Sequence, residues 1–137
     1  MRKIDVLAVI PARYGSSRFP GKALADIGGE ALIERLYRTV TSSKLIDRAV
    51  VATDSDEIMS FCRGKGIEMI RTSARHRTGS DRSAEVAQEL GGEIIVSIQA
   101  DHWGESKSDI ERVIRAMQSD KKIRYATFAK RIEGEEY

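Results

Sequence analysis

Residues 4–10, IDVLAVI, form a nearly unbroken apolar run rich in branched side chains, the pattern of a short strand buried on both faces of a parallel sheet. A different period follows over residues 31–40, where Leu32, Ile33, Leu36, Tyr37 and Val40 fall on one helical face. The alternation then repeats. AVVAT at 49–53 reads as a second strand, and Asp54, Ser55 and Asp56 are cap candidates for a helix through Ile58, Phe61 and Cys62 that Gly64 and Gly66 would stop. IEMI at 67–70 is a short third strand. A polar loop to Gly79 leads into a helix over 80–90, with Ala84, Val86, Ala87 and Leu90 apolar and Gly91 and Gly92 at its end. EIIVSI at 93–98 gives a fourth strand, 106–117 a fourth helix and YATFAK at 125–130 a fifth strand.

Strand and helix in strict alternation predict an α/β fold, a mostly parallel Rossmann-like sheet with helices on both faces. At 137 residues, 41% hydrophobic and 32% charged, the whole chain reads as one globular domain, with no internal repeat or linker. The 23 cations and 21 anions leave a net charge of +2, too balanced for a nucleic-acid binder. No run approaches the length that spans a bilayer. A lone Cys62 and the lack of a signal-like N-terminus lead to the expectation of a cytoplasmic protein.

Parallel sheets bind ligands beyond the carboxyl ends of their strands. The segment there after the first strand, IPARYGSSRFPGK at 10–22, holds both prolines and three cations, Arg13, Arg18 and Lys22. It is not a P-loop, because five residues separate Gly15 from Gly21 and Ala23 stands where a Ser or Thr would hold magnesium. A Gly-x-Gly dinucleotide fingerprint is missing as well, and Gly28 and Gly29 read as a turn. What the segment offers is an anion cradle: small residues that admit backbone donors, guanidinium groups that grip phosphate oxygens bidentately, and a mobile lysine. Solvated surface cations are the plain alternative.

The same residues carry a resemblance. IPARYGSSRFPGKAL followed by ADIGG resembles the opening of the 3-deoxy-manno-octulosonate (Kdo) cytidylyltransferase family, and VVATD at 50–54 resembles the end of its second strand. TSARHRTGSDRSAEV at 72–86 is similar to its Thr-Ser-Pro-Asp-His-Gln-Ser-Gly-Thr-Asp-Arg segment, IIVSIQAD at 94–101 to its Val-Asn-Val-Gln-Gly-Asp strand end, and YATFAKRI to its fifth strand. Acylneuraminate cytidylyltransferases share a similar opening, but Phe19-Pro20-Gly21-Lys22 sits closer to the Kdo type.

The resemblance implies a nucleotide-diphospho-sugar transferase fold and a nucleotidyl transfer from CTP to a sugar acid, with loss of pyrophosphate, for lipopolysaccharide synthesis. Arg13 and Lys22 match the family's triphosphate-binding cations. Ala12, Ser16 and Arg18 would help to seat the nucleotide. Asp101 matches its magnesium ligand, implying Mg2+ as cofactor; a helix cap or loop carboxylate is the alternative. His76, Thr78, Gly79 and Arg82 match the segment near cytosine and ribose, with Gln99 on the same rim, although Arg82 could equally be a helix-surface cation. The resemblance covers the family's N-terminal half, so the fold is expected to be incomplete at the C-terminus. The other half carries a second magnesium carboxylate, much of the sugar-acid pocket and the contacts of a homodimer.

Several positions depart from the family. Ala100, His102 and Trp103 stand in the strand-end segment where Gly, Glu and Pro are usual, and Arg75 and Arg77 replace Asp and Gln, making that rim basic. His102 is either an added ligand or simply exposed, and Trp103 either packs on the loop or stacks on a base. Two further readings accompany the enzyme: a nucleotide-binding domain without transfer, and an interaction module that pairs through a free sheet edge.

Overall fold

The computed structural model describes residues 5–13, 24, 26–27, 29–76, 78–99, 107–120 and 125–127, with 26–27 and 125–127 described as backbone only. The apolar run near the N-terminus becomes β1 (Val6–Pro11), each residue of which is buried. A two-residue hairpin of β2 (Asp26–Ile27) and β3 (Glu30–Ala31) follows, with Gly29 at a φ of 96° in its turn. Gly29 thus lies in the expected turn, Gly28 falls outside the described residues, and the flanking strands are too short to carry a period. The hairpin feeds directly into α1 (Leu32–Thr41), whose cap residue Ala31 offers no side-chain hydrogen bond.

Next come β4 (Arg48–Thr53), α2 (Asp56–Lys65), β5 (Met69–Arg71), α3 (Gly79–Leu90), β6 (Ile94–Ser97), α4 (Lys107–Ser119) and β7 (Tyr125–Thr127). The five longer strands form one parallel sheet in the order β5-β4-β1-β6-β7. The third strand lies slightly later than 67–70, and residues 128–130 of the expected fifth strand lie outside the described residues. Of the three cap candidates, Ser55 does the capping: its Oγ accepts from the Ile58 N–H at 3.2 Å. Gly64 does not stop α2. One glycine inside a helix costs only about 1 kcal/mol, and the helix runs on to Gly66, whose φ of 71° supplies the left-handed turn.

The alternation of side chains along β1 divides the core. Val6, Ala8, Ile10 and Ala12 join Ile33, Leu36 and Val40 of α1, Ile58 and Cys62 of α2, and Ile110 and Ile114 of α4 on one face. Leu7 and Val9 join Val50, Ala52 and Ile95 on the other, under Val86 of α3. Each such fully buried aliphatic side chain contributes about 1.5–3 kcal/mol by leaving water. Burial pushes the Cys62 thiol up to about 11, so it stays protonated at neutral pH and acts as a core side chain. Among the described residues no helix is long and apolar enough to cross a membrane.

Candidate functional site

The strand order sets where a ligand can lie. From β1 the chain moves to β4 on one side, while β6 returns on the other side of β1, so the crevice beyond β1 and β6 is the topological switch point of the sheet. Ladder bonds carry both neighbours to the same level: Ala12 N–H donates to Ala52 C=O at 2.9 Å, and Ile98 N–H donates to Val9 C=O at 2.9 Å. Arg13 stands exposed just past β1, and Gln99 just past β6. Ala12 is buried and its N–H is already committed to the β4 ladder, so its contribution to a ligand is limited to shape and its carbonyl.

Gln99 meets the start of α3. A methyl group placed on the Gly79 Cα would lie 2.0 Å from the Gln99 Nε2, so the carboxamide rests on the bare backbone of the first residue of α3. Thr78 caps that helix, its Oγ1 accepting from the Asp81 N–H at 3.0 Å. The helix therefore aims its positive end into the crevice beside Gln99.

The loop between β5 and α3 forms the neighbouring rim, and two arginines stitch it to the end of β4. Arg82, 2% exposed, does not stand on the helix surface. Its Nη1 donates to Thr72 Oγ1 and, at 3.3 Å, to the Ser73 carbonyl, while Nη2 lies 3.7 Å from Asp54 Oδ1. Its Nε is buried without a partner among the described residues. Arg71 donates to the Asp54 carbonyl at 3.2 Å and pairs with Asp56. Thr53 orders the turn between them, its Oγ1 accepting from the Ser55 N–H at 3.1 Å.

His76 is fixed from the same helix. Its Nε2 lies 2.6 Å from Glu85 Oε1, which also accepts from the Ser73 N–H at 3.0 Å. The Ser73 N–H, then the His76 ring and the Arg82 charge hold the Glu85 carboxyl below the ordinary glutamate range. Glu85 and Asp54 were not anticipated as site residues, nor were Arg71, Asp56, Thr72 and Ser73 beside them. Glu85 lies three residues beyond Arg82, the spacing that places two side chains on one helical face, and that was the available signal.

The structure thus brings Gln99 onto Gly79 and Thr78 onto the same helix end, and joins His76 to Arg82 through Glu85, Ser73 and Thr72. Arg13 and Ala12 close the β1 side. Ser16, Arg18, Lys22 and Asp101 lie outside the described residues, as do Arg77, Ala100, His102 and Trp103. Among the described residues no group of three or more His, Cys, Asp or Glu side chains is placed to hold a metal ion.

Known proteins match this chain in sequence and fold. The protein family described as Cytidylyltransferase matches residues 7–137. A 3-deoxy-manno-octulosonate cytidylyltransferase from Geobacter sulfurreducens is 41% identical over 129 residues, 94% of this chain and 52% of that protein. One from Syntrophotalea carbinolica is 42% identical over 124 residues, 90% of this chain and 50% of its own length. The chain therefore spans about half the length of the curated relatives it matches. A CMP:2-keto-3-deoxy-manno-octonic acid synthetase solved in complex with CTP superposes with a TM-score of 0.82 at 34% identity, covering 85% of this chain and 48% of its own. A cytidylyltransferase from Leptospira borgpetersenii, 22% identical with a TM-score of 0.73 over 86% of this chain and 50% of its own, shares the fold. With the fold, the ordered motifs and the match over residues 7–137 in agreement, the chain belongs to the cytidylyltransferase family of nucleotidyltransferases.

Proposed function

We propose that this chain forms the nucleotide-binding part of a cytidylyltransferase that transfers CMP from CTP to a Kdo-type sugar acid in lipopolysaccharide synthesis in the cytoplasm. The observation that carries the reading is the meeting of Gln99 with Gly79 at the switch-point crevice, in a chain whose relatives bear that name. In the reaction the anomeric hydroxyl oxygen bonds to the α-phosphorus as the α–β bridging bond breaks. Pyrophosphate leaves with the bond pair, and the hydroxyl proton passes to solvent.

Such a transfer needs charge neutralisation and alignment more than covalent help. Arg13, Arg18 and Lys22 bind the triphosphate, with Ser16 and the Ala12 backbone shaping its seat. Gln99, Thr78, Gly79 and His76 line the base and ribose side, and Arg82 acts there from beneath, by holding the rim. Magnesium suits the one donor that the resemblance supplies, Asp101. Asp54 lies beside Arg82, Asp56 pairs with Arg71, and Glu85 accepts from Ser73 and contacts His76, so each of these three carboxylates already has a partner in the rim. Asp101, two residues beyond Gln99, supplies one hard oxygen, which suits a cation that takes its other ligands from phosphate and water. Bound there, Mg2+ would neutralise phosphate charge and orient the triphosphate. The resemblance adds a homodimer.

Pyrophosphate release assayed with CTP, Mg2+ and Kdo tests the transfer. Release that requires all three is the expected result; CTP binding without release would leave a nucleotide-binding domain. In the same titration Lys22→Ala weakens CTP about tenfold, the loss of one charged contact. Unchanged affinity would remove Lys22 from the site.

A further inference from the structure

His76 is gripped from one side only. Its Nε2 faces Glu85 Oε1 at 2.6 Å, while its Nδ1 has no partner among the described residues. The side chains of His76 and Glu85 are 20% and 27% exposed, so the pair is partly sheltered and still reaches solvent. Glu85 is a carboxylate at neutral pH and only accepts, so the proton of a neutral His76 ring must sit on Nε2. The same oxygen takes the Ser73 N–H, whose hydroxyl accepts from the Arg75 N–H at 3.1 Å. Glu85 therefore holds both the path of the rim loop and the tautomer of its histidine.

We propose that Glu85 is a positioning residue of the nucleotide site, fixing His76 with its proton on Nε2 so that Nδ1 accepts a hydrogen bond from a ribose hydroxyl or base amino group. This rests on the nucleotide reading of the rim. An Nδ1 lone pair repels phosphate oxygen and takes a donor, which places the contact on the nucleoside rather than the triphosphate. Glutamine at position 85 would still accept from Ser73 and from Nε2–H, whereas alanine would free both.

The test combines ring tautomer with binding. The chain holds two histidines, so a His102→Gln background leaves the His76 signals alone in a 15N NMR spectrum. The ring is expected to show a protonated Nε2 in the parent and in Glu85→Gln, and a mixture of tautomers in Glu85→Ala. CTP affinity is expected to fall about tenfold in Glu85→Ala, one well-made hydrogen bond, and to stay within about twofold in Glu85→Gln. The double variant Glu85→Ala/His76→Ala should lose less CTP affinity than the two single losses summed, because Glu85 acts in part through the ring; fully additive losses would overturn the proposal. A parent ring protonated on Nδ1, or a Glu85→Ala protein that binds CTP as the parent does, overturns the proposal. A parent that does not bind CTP overturns the nucleotide reading and its part of the proposal, while the tautomer still reports separately on whether Glu85 holds His76.

Discussion

The two faces of the sheet are built from different materials. Under α1 and α4 the inward residues are Leu32, Ile33, Leu36 and Val40, then Ile110, Ile114 and Met117, an apolar layer without charge. Under α3 they are Arg82, Ser83 and Val86. The first face holds the domain together. The second gives up apolar area so that a guanidinium and a hydroxyl can tie the helix to the strand ends, and it is α3 that brings Gly79, Thr78 and Glu85 to the crevice. Stability and site geometry are thus assigned to opposite sides of one sheet.

The sharpest way to separate the faces is to damage each once. Ile33→Ala removes a fully buried side chain and should cost about 4 kcal/mol in urea unfolding, while the protein that remains folded binds CTP as before. Arg82→Ala should cost about 3 kcal/mol, because Thr72, Ser73 and Asp54 lose their shared donor, and should weaken CTP binding as well. If Arg82→Ala altered stability alone, α3 would be ordinary packing and the contrast between the faces would fail.

A finer probe lies deeper in the polar face. Ser83 Oγ and Ser97 Oγ are 2.7 Å apart and both buried, joining α3 to β6 just below Gln99. Either single change to alanine leaves the other hydroxyl without its partner and should cost about 1–2 kcal/mol. The double change removes both polar groups and should cost less than the two singles summed. Additive losses in the double-mutant cycle would mean that the two hydroxyls do not rely on each other.

Much of this division is readable in the sequence, with an instructive gap. The unbroken apolar run of β1 and the 3.6-residue stripe of α1 mark the apolar face, because every inward position there is hydrophobic. On α3 the stripe through Val86 and Leu90 extends back to 82 and 83, one helical turn earlier, so burial of Arg82 is implied by spacing alone. The charge of Arg82 hides it, since burying a cation depends on partners that are distant in sequence: Asp54 is 28 positions away by subtraction from 82. The β2–β3 hairpin is illegible for another reason, as two-residue strands have no period to detect. For the site, the order of motifs names the crevice, but contacts such as Glu85 to His76 follow from how the loop folds back on the helix.

The smallest effect separates charge from shape on the polar face. Glu85 has its carboxyl held below the ordinary range, so its ionised form is favoured by folding. A depressed acid adds stability above its unfolded value, near 4.3, and that share is lost as the pH falls through the lower folded value. Glu85→Gln keeps both acceptor contacts but cannot titrate. At pH 7 the variant should therefore be modestly less stable than the parent, and the gap should close as the pH drops below about 4. Denaturant unfolding of both proteins from pH 7 to pH 3 reads this directly. A gap that persists unchanged to pH 3 would mean that Glu85 contributes through its shape alone, and the electrostatic hold on Ser73 and His76 would have to be withdrawn.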